Sequence, residues 1–268
     1  MANVQHYLSD MQERRTRHRR YAALGIVVGF IIIVALGAAW LFFWSSLLKF
    51  DRVVLVRGEK TIENETLAKE LLSALRTPWF FPEGSFLGLS PSFSPKPEEF
   101  AFPYIKTVTV RKMYREHILE LEIKERDPFG IWCFGKADAS PSCAWFDEEG
   151  VLFEQALNAE GALVRTVRDY SRSPIAIGQS VLPANFFENL RSIFHALDGG
   201  GIHAREVVLS DIELQEVEVR TFDGPRILFS IRFPAENTLS VIRSLKEKAD
   251  FKTLGQLDFR VENRAYYR

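Results

Sequence analysis

Histidine, cysteine and paired acidic residues are where acid–base, metal or nucleophilic chemistry would sit in this chain, and their placement argues against an active site. The five histidines are His6, His18, His117, His195 and His203; none adjoins a cysteine or repeats at a metal-ligand spacing. Glu120 and Glu122 could pose as paired carboxylates, but they alternate with Leu119, Leu121 and Ile123, the pattern of a solvated strand face. Ser46-Leu47-Leu48-Lys49 matches Ser-x-x-Lys, yet it closes an apolar run with no domain around it. Gly199-Gly200-Gly201 lacks the Gly-Lys-Ser/Thr ending of a phosphate loop and reads as a helix stop. Asn64-Glu65-Thr66 is a glycosylation sequon, a triplet common by chance. The sequence predicts no catalytic residue, no metal site and no cofactor.

Cys133 and Cys143 are different. They flank a turn-rich stretch, residues 134–142, between two aromatic strand-like runs, so pairing of those runs sets the sulfurs opposite each other. A two-ligand metal site is excluded by the missing histidine, and a redox centre by the missing Cys-x-x-Cys. We read a structural disulfide worth about 2.5–3 kcal/mol on the chain-entropy model, with two free buried thiols as the alternative.

The compartment follows from charge order. The 268 residues are 47% hydrophobic, 26% charged and 13% aromatic, which excludes a disordered tail, a collagen-like repeat and a coiled coil. Net charge is −1, so the chain as a whole offers no electrostatic reason to bind nucleic acid. Residues 1–20 carry Arg14, Arg15, Arg17, Arg19 and Arg20 against Asp10 and Glu13, whereas residues 21–48 carry no charge. Twenty-eight such positions make a helix of about 42 Å, enough for a hydrocarbon core of about 30 Å. The positive-inside rule predicts a cytoplasmic N-terminus, one span over 21–48, and residues 49–268 outside, with Tyr21, Trp40 and Trp44 as interfacial anchors. The competing reading is a signal peptide cleaved near Ala35-Leu36-Gly37-Ala38-Ala39; against it, the apolar run continues through Trp44, longer than an h-region of about 7–15 residues. Gly25 and Gly29 have helix-dimer spacing, which chance also explains.

The external part reads as α+β in two units. The first, 49–126, holds a strand at 50–56, a helix from 61 or 63 to 75, and a strand pair at 107–111 and 119–124. Between them, residues 78–103 contain six prolines among aromatics, which forbids a long helix but permits short turns, such as one starting at Pro97. That stretch is either an arm for a partner or the membrane surface, or a cover over its own core. The second unit, 127–268, opens with the cysteine hairpin and a second hairpin at Asp147-Glu148-Glu149-Gly150. It continues with helices at 183–197 and 235–249, strands at 207–209, 214–221 and 227–231, and a closing strand over 257–267. In that closing strand Leu257, Phe259 and Val261 face the core while Asp258, Arg260 and Glu262 face outward.

These features in this order resemble the bacterial cell-division family FtsQ/DivIB. The resemblance rests on 102–111 (FPYIKTVTVR), 118–128 (ILELEIKERDP), 145–153 (WFDEEGVLF) and 257–264 (LDFRVENR), behind one span. It implies a POTRA-like domain (strand–helix–short helix–strand–strand) followed by a mixed β domain with two helices. It further implies a non-catalytic divisome scaffold at the septum, binding FtsB- and FtsL-like membrane proteins and through them the septal synthases FtsW and FtsI. Two departures stand out. The proline-rich stretch occupies the place of POTRA's second helix, and Val261 replaces a frequent aromatic. A closing strand at a sheet edge would accept a partner strand, with Arg260, Glu262, Asn263, Arg264 and Tyr266 as the expected partner-binding residues. The reading from another class is a membrane-anchored cell-wall enzyme or receptor.

Overall fold

The computed structural model describes residues 21–41, 48–58, 60–75, 79, 81, 83–135, 141–158, 164–248 and 251–268. The class is α+β, with four helices and two sheets among the described residues. Helix α1, Tyr21–Leu41, is 21 residues long and apolar enough to cross a membrane. Arg14 to Arg20 and Trp44 lie outside the described residues. Contacts gather the chain into two compact units: residues up to 54, α1 included, with 75–91 and 110–121, and residues 55–74, 92–109 and 122–268.

The smaller sheet runs in the order β2-β1-β5-β4-β3. Its strands are β1 (Arg52–Arg57), β2 (Lys60–Ile62), β3 (Ser92–Phe93), β4 (Ile105–Met113) and β5 (Ile118–Glu125). The alternation expected at 107–111 and 119–124 is therefore real, with Val108, Leu119 and Leu121 fully buried. Two expectations are corrected. Residues 60–62 form no helix start; Gly58, at φ +60, turns them back so that Ile62 pairs with Leu55. Helix α2 begins later, at Glu65–Ala74, where the Asn64 side chain accepts the Leu67 N–H at 3.0 Å. The sequon asparagine is thus a helix cap. Second, the short helix expected before β4 is not among the described elements. Turns and β3 take its place, with Phe86, Leu89 and Phe100 buried and Trp79 94% exposed, so part of that stretch packs inward and part faces solvent.

The larger sheet has nine strands in the order β14-β13-β12-β11-β10-β9-β6-β7-β8. They are β6 (Gly130–Phe134), β7 (Ser142–Phe146), β8 (Leu152–Ala156), β9 (Thr166–Asp169), β10 (Ala204–Leu209), β11 (Glu216–Thr221), β12 (Arg226–Ser230), β13 (Gln256–Phe259) and β14 (Tyr266–Tyr267). β6–β9, β9–β10 and β12–β13 are parallel, which requires crossovers. Helix α3 (Ala184–Gly199) supplies one and α4 (Thr238–Lys248) another. Phe187, Leu190, Phe194 and Leu197 recur at helical spacing on α3 and pack, with Ile242 of α4, against Trp132, Phe146, Val167, Val219, Phe229 and Leu257 of the strands. Both helices therefore cover one face.

The other face packs against neither α3 nor α4, and its register can be followed across every strand. Side chains opposite one another share a face, so one lateral row runs from Ala156 through Cys143, Cys133, Arg168, Val208, Glu218, Leu228 and Asp258 to Tyr266. Cys133 and Cys143 are directly opposed and form the disulfide. Charges along this face compensate each other. Glu206 binds Arg168 at 2.8 Å and Arg220 at 2.7 Å, and Arg220 reaches Glu218 at 2.9 Å.

The closing strand is corrected. Residues 257–267 are not one strand. β13 stops at Phe259, the chain turns with Asn263 at φ 58, and β14 folds back so that Tyr266 pairs with Asp258 and Tyr267 with Leu257. Val261, expected in the core, is 49% exposed in that turn.

Candidate partner-binding edge

β13 lies between β12 and β14 and has no free flank; the edge of the sheet is β14. At this edge Gln256 and Arg268 exchange backbone hydrogen bonds in both directions, at 3.1 and 3.2 Å. Bonded and non-bonded pairs alternate along an antiparallel ladder, so the N–H and C=O of Tyr267 point away from β13. Both tyrosines are exposed, Tyr266 by 52% and Tyr267 by 62%. Tyr266 stands on the face away from α3 and α4, beside Asp258, and Tyr267 on the side of Leu257.

The predicted partner-binding residues divide into three kinds of environment. Arg260, expected as an outward selector, is tied to neighbouring carboxylates. Its guanidinium binds both carboxylate oxygens of Asp258, at 2.9 and 2.6 Å, and Glu216 at 2.9 Å. Arg260 thereby holds the Asp258 carboxyl below its ordinary range. Glu262 is exposed in the turn. Asn263 takes the left-handed conformation that the reversal needs, and its Oδ1 accepts from Asn237 Nδ2 at 2.9 Å. Arg264 hydrogen-bonds Tyr266, which raises the guanidinium pKa above its usual value. Tyr266 alone of the five lies on the edge strand. Sequence reading missed Glu216 and Asn237, which fasten the turn from other elements, and no local signal could have supplied either.

Beside the turn lies a groove of about 330 Å³. Phe233, Val241, Phe259, Val261 and Ala265 give it apolar walls, and Glu236, Glu262 and Arg264 form its polar lining. A groove of mixed polarity in the turn that leads into an edge strand can hold side chains of a segment whose backbone that strand pairs.

Elsewhere several charged groups are committed to structure. The motifs at 118–128 and 145–153 meet: Arg126, its side chain 4% exposed, binds Asp147, 2% exposed, at 2.5 Å and the Pro103 carbonyl at 3.0 Å. Asp147 Oδ1 also accepts the Glu149 and Val151 N–H groups, tying the hairpin turn. Lys106 binds Glu149 at 3.0 Å and, with Arg126, holds that carboxyl below its ordinary range. A cavity of about 450 Å³ is lined by Arg57, Tyr104, Glu125, Arg126 and Trp145, but Arg57 is paired with Glu125 at 2.5 Å. Glu120 binds Arg111 at 3.5 Å. His117 sits in a turn with Nδ1 3.0 Å from the Lys49 carbonyl, and His195 and His203 are exposed. Among the described residues no cluster of three His, Cys, Asp or Glu side chains is arranged for a metal. No protein-family model matches the chain, and no curated protein is significantly similar to it.

Proposed function

We propose that this protein is a non-catalytic, single-span membrane scaffold of the FtsQ/DivIB kind, with its N-terminus in the cytoplasm and its folded part outside, acting at the division septum. The observation that carries the reading is the combination of an apolar N-terminal helix with a sheet that ends in a two-residue strand, its outward backbone groups unpaired, next in sequence to a turn that lines a groove of mixed polarity. Over residues 52–125 the order is strand, short strand, helix, short strand, strand, strand; strand β1, helix α2 and the β4–β5 pair support a POTRA-like domain, with proline-rich turns and β3 in the place of a second helix. A partner segment of the FtsB or FtsL kind adds to β14 through Tyr267, while its side chains enter the groove between Phe233 and Val261. Main-chain bonds give affinity, and Glu262 and Arg264 at the groove discriminate among partners. Arg260 serves indirectly, holding the turn through Asp258 and Glu216. Septal synthases of the FtsW/FtsI kind are reached through that partner.

The test is co-purification of the full chain from detergent-solubilised membranes, with mass spectrometry of what accompanies it. Small single-span coiled-coil proteins are expected, and Tyr267→Pro, which removes an outward N–H, abolishes their recovery. Undiminished recovery with Tyr267→Pro rejects strand addition. A hydrolytic or transferase turnover by the purified chain rejects the scaffold.

A further inference from the structure

The folded part begins where the apolar run ends, with no polar spacer. No charged residue occurs between Tyr21 and Leu48, and the first one, Lys49, is already bridged to Ser85. Phe50 N–H donates to the Gly84 carbonyl and Phe86 N–H to the Leu48 carbonyl, both at 2.8 Å. On the other side the His117 carbonyl accepts the Asp51 N–H at 2.9 Å. If α1 spans a bilayer, as the proposed function holds, residues 48–50 stand at headgroup level. The two segments bonded to them then stand there too.

Both segments present aromatic or apolar side chains to solvent. Trp79 is five residues from Gly84, so it lies within about 17 Å of it even when the chain is fully extended. It is 94% exposed, and no charge occurs between Arg76 and Glu83. The turn ending at His117 carries Tyr114, 48% exposed, next to Met113 at the end of β4, 38% exposed. The fully buried Phe86, against the rings of Phe50 and Tyr114, stiffens the platform beneath them. Large amphipathic rings prefer the membrane–water interface. The charges nearby in sequence are of both signs (Lys49, Asp51, Arg52, Arg76, Glu83, Lys112, Arg115, Glu116), so a zwitterionic bilayer is used to isolate the contribution of the rings from attraction to anionic lipid.

We propose that Trp79, Met113 and Tyr114 form a second lipid contact, seated in the leaflet from which α1 emerges, that sets the orientation of the folded part on the bilayer. The test uses the full chain, its disulfide intact, in phosphatidylcholine nanodiscs. Single nitroxides are placed through Trp79→Cys, Met113→Cys, Leu36→Cys within α1 and Leu157→Cys as a solvent reference, and power saturation with oxygen and a nickel chelate reads depth. Labels at 79 and 113 are expected about 5–10 Å below the phosphates, that at 36 deeper, and that at 157 in water. The Met113 label leaves Trp79 in place, so the result does not depend on losing the ring. Nickel collisions at 79 or 113 equal to those at 157, with 36 still in lipid, overturn the contact and leave the span intact. Nickel access at 36 overturns the span and the contact with it.

Discussion

The two ends of the nine-stranded sheet are finished in opposite ways. At the β8 end the disulfide joins β6 to β7, Asp147 gathers two backbone N–H groups and Arg126, and the chain at 178–180 pairs with Val151 and Leu152. At the β14 end two exposed residues are held by a short ladder and by surface ion pairs around Arg260. An edge strand left open is a liability unless something is meant to occupy it. Closure is thus concentrated at one end and availability at the other. That difference is the structural reason to place binding at β14.

The contrast can be broken first at its strongest point. Arg126→Ala leaves Asp147 buried without its cation and should cost about 3–5 kcal/mol, read as a lowered denaturant midpoint of the full chain in detergent. A loss below about 1 kcal/mol would mean that the pair behaves like a surface bridge. Next, replacing both cysteines with serine should cost about 2.5–3 kcal/mol, and reductant should destabilise the native chain by the same amount. At the open end, Tyr267→Pro should change stability by less than about 0.5 kcal/mol while partner recovery is lost. Tyr266→Pro lies on the paired side of the ladder, so it should also weaken protection of β13 amides against hydrogen exchange. Equal effects of the two prolines would erase the distinction between paired and free flanks.

The smallest effect concerns charge. Asp258 and Glu149 are held below the ordinary carboxylate range by Arg260 and Lys106. Their contribution is present above that range and is lost as pH falls through the depressed folded values. Arg260→Ala should cost about 0.2–1 kcal/mol at neutral pH and flatten the acid limb of stability against pH. An unchanged acid limb would show that the ion pairs at the open end contribute nothing.

Local pattern foretold most of the elements. Alternation located β4 and β5, helical spacing located α2, α3 and α4, and the turn at Asp147 to Gly150 joins β7 to β8 as expected. The cysteine pair was legible for the same reason, since a hairpin opposes residues at a countable separation. The closing strand was misread because Leu257, Phe259 and Val261 keep the two-residue period beyond the point where the chain turns. Periodicity has no means of showing that Asn263 reverses the direction or that Asn237 and Glu216 fasten the turn from distant elements. Strand β9 was missed because it is short and draws its burial from parallel neighbours far along the chain.

The sequence by itself determined the apolar helix, the α+β class and the hairpin that carries the disulfide, because hydropathy, period and turn chemistry act over a few residues. Which strand ends the large sheet, which arginine is buried and which lies at the surface, and where unpaired backbone meets a groove were decided only in the tertiary structure. Those properties depend on neighbours brought in by crossovers, and a lateral order of strands is not written in the linear order of residues.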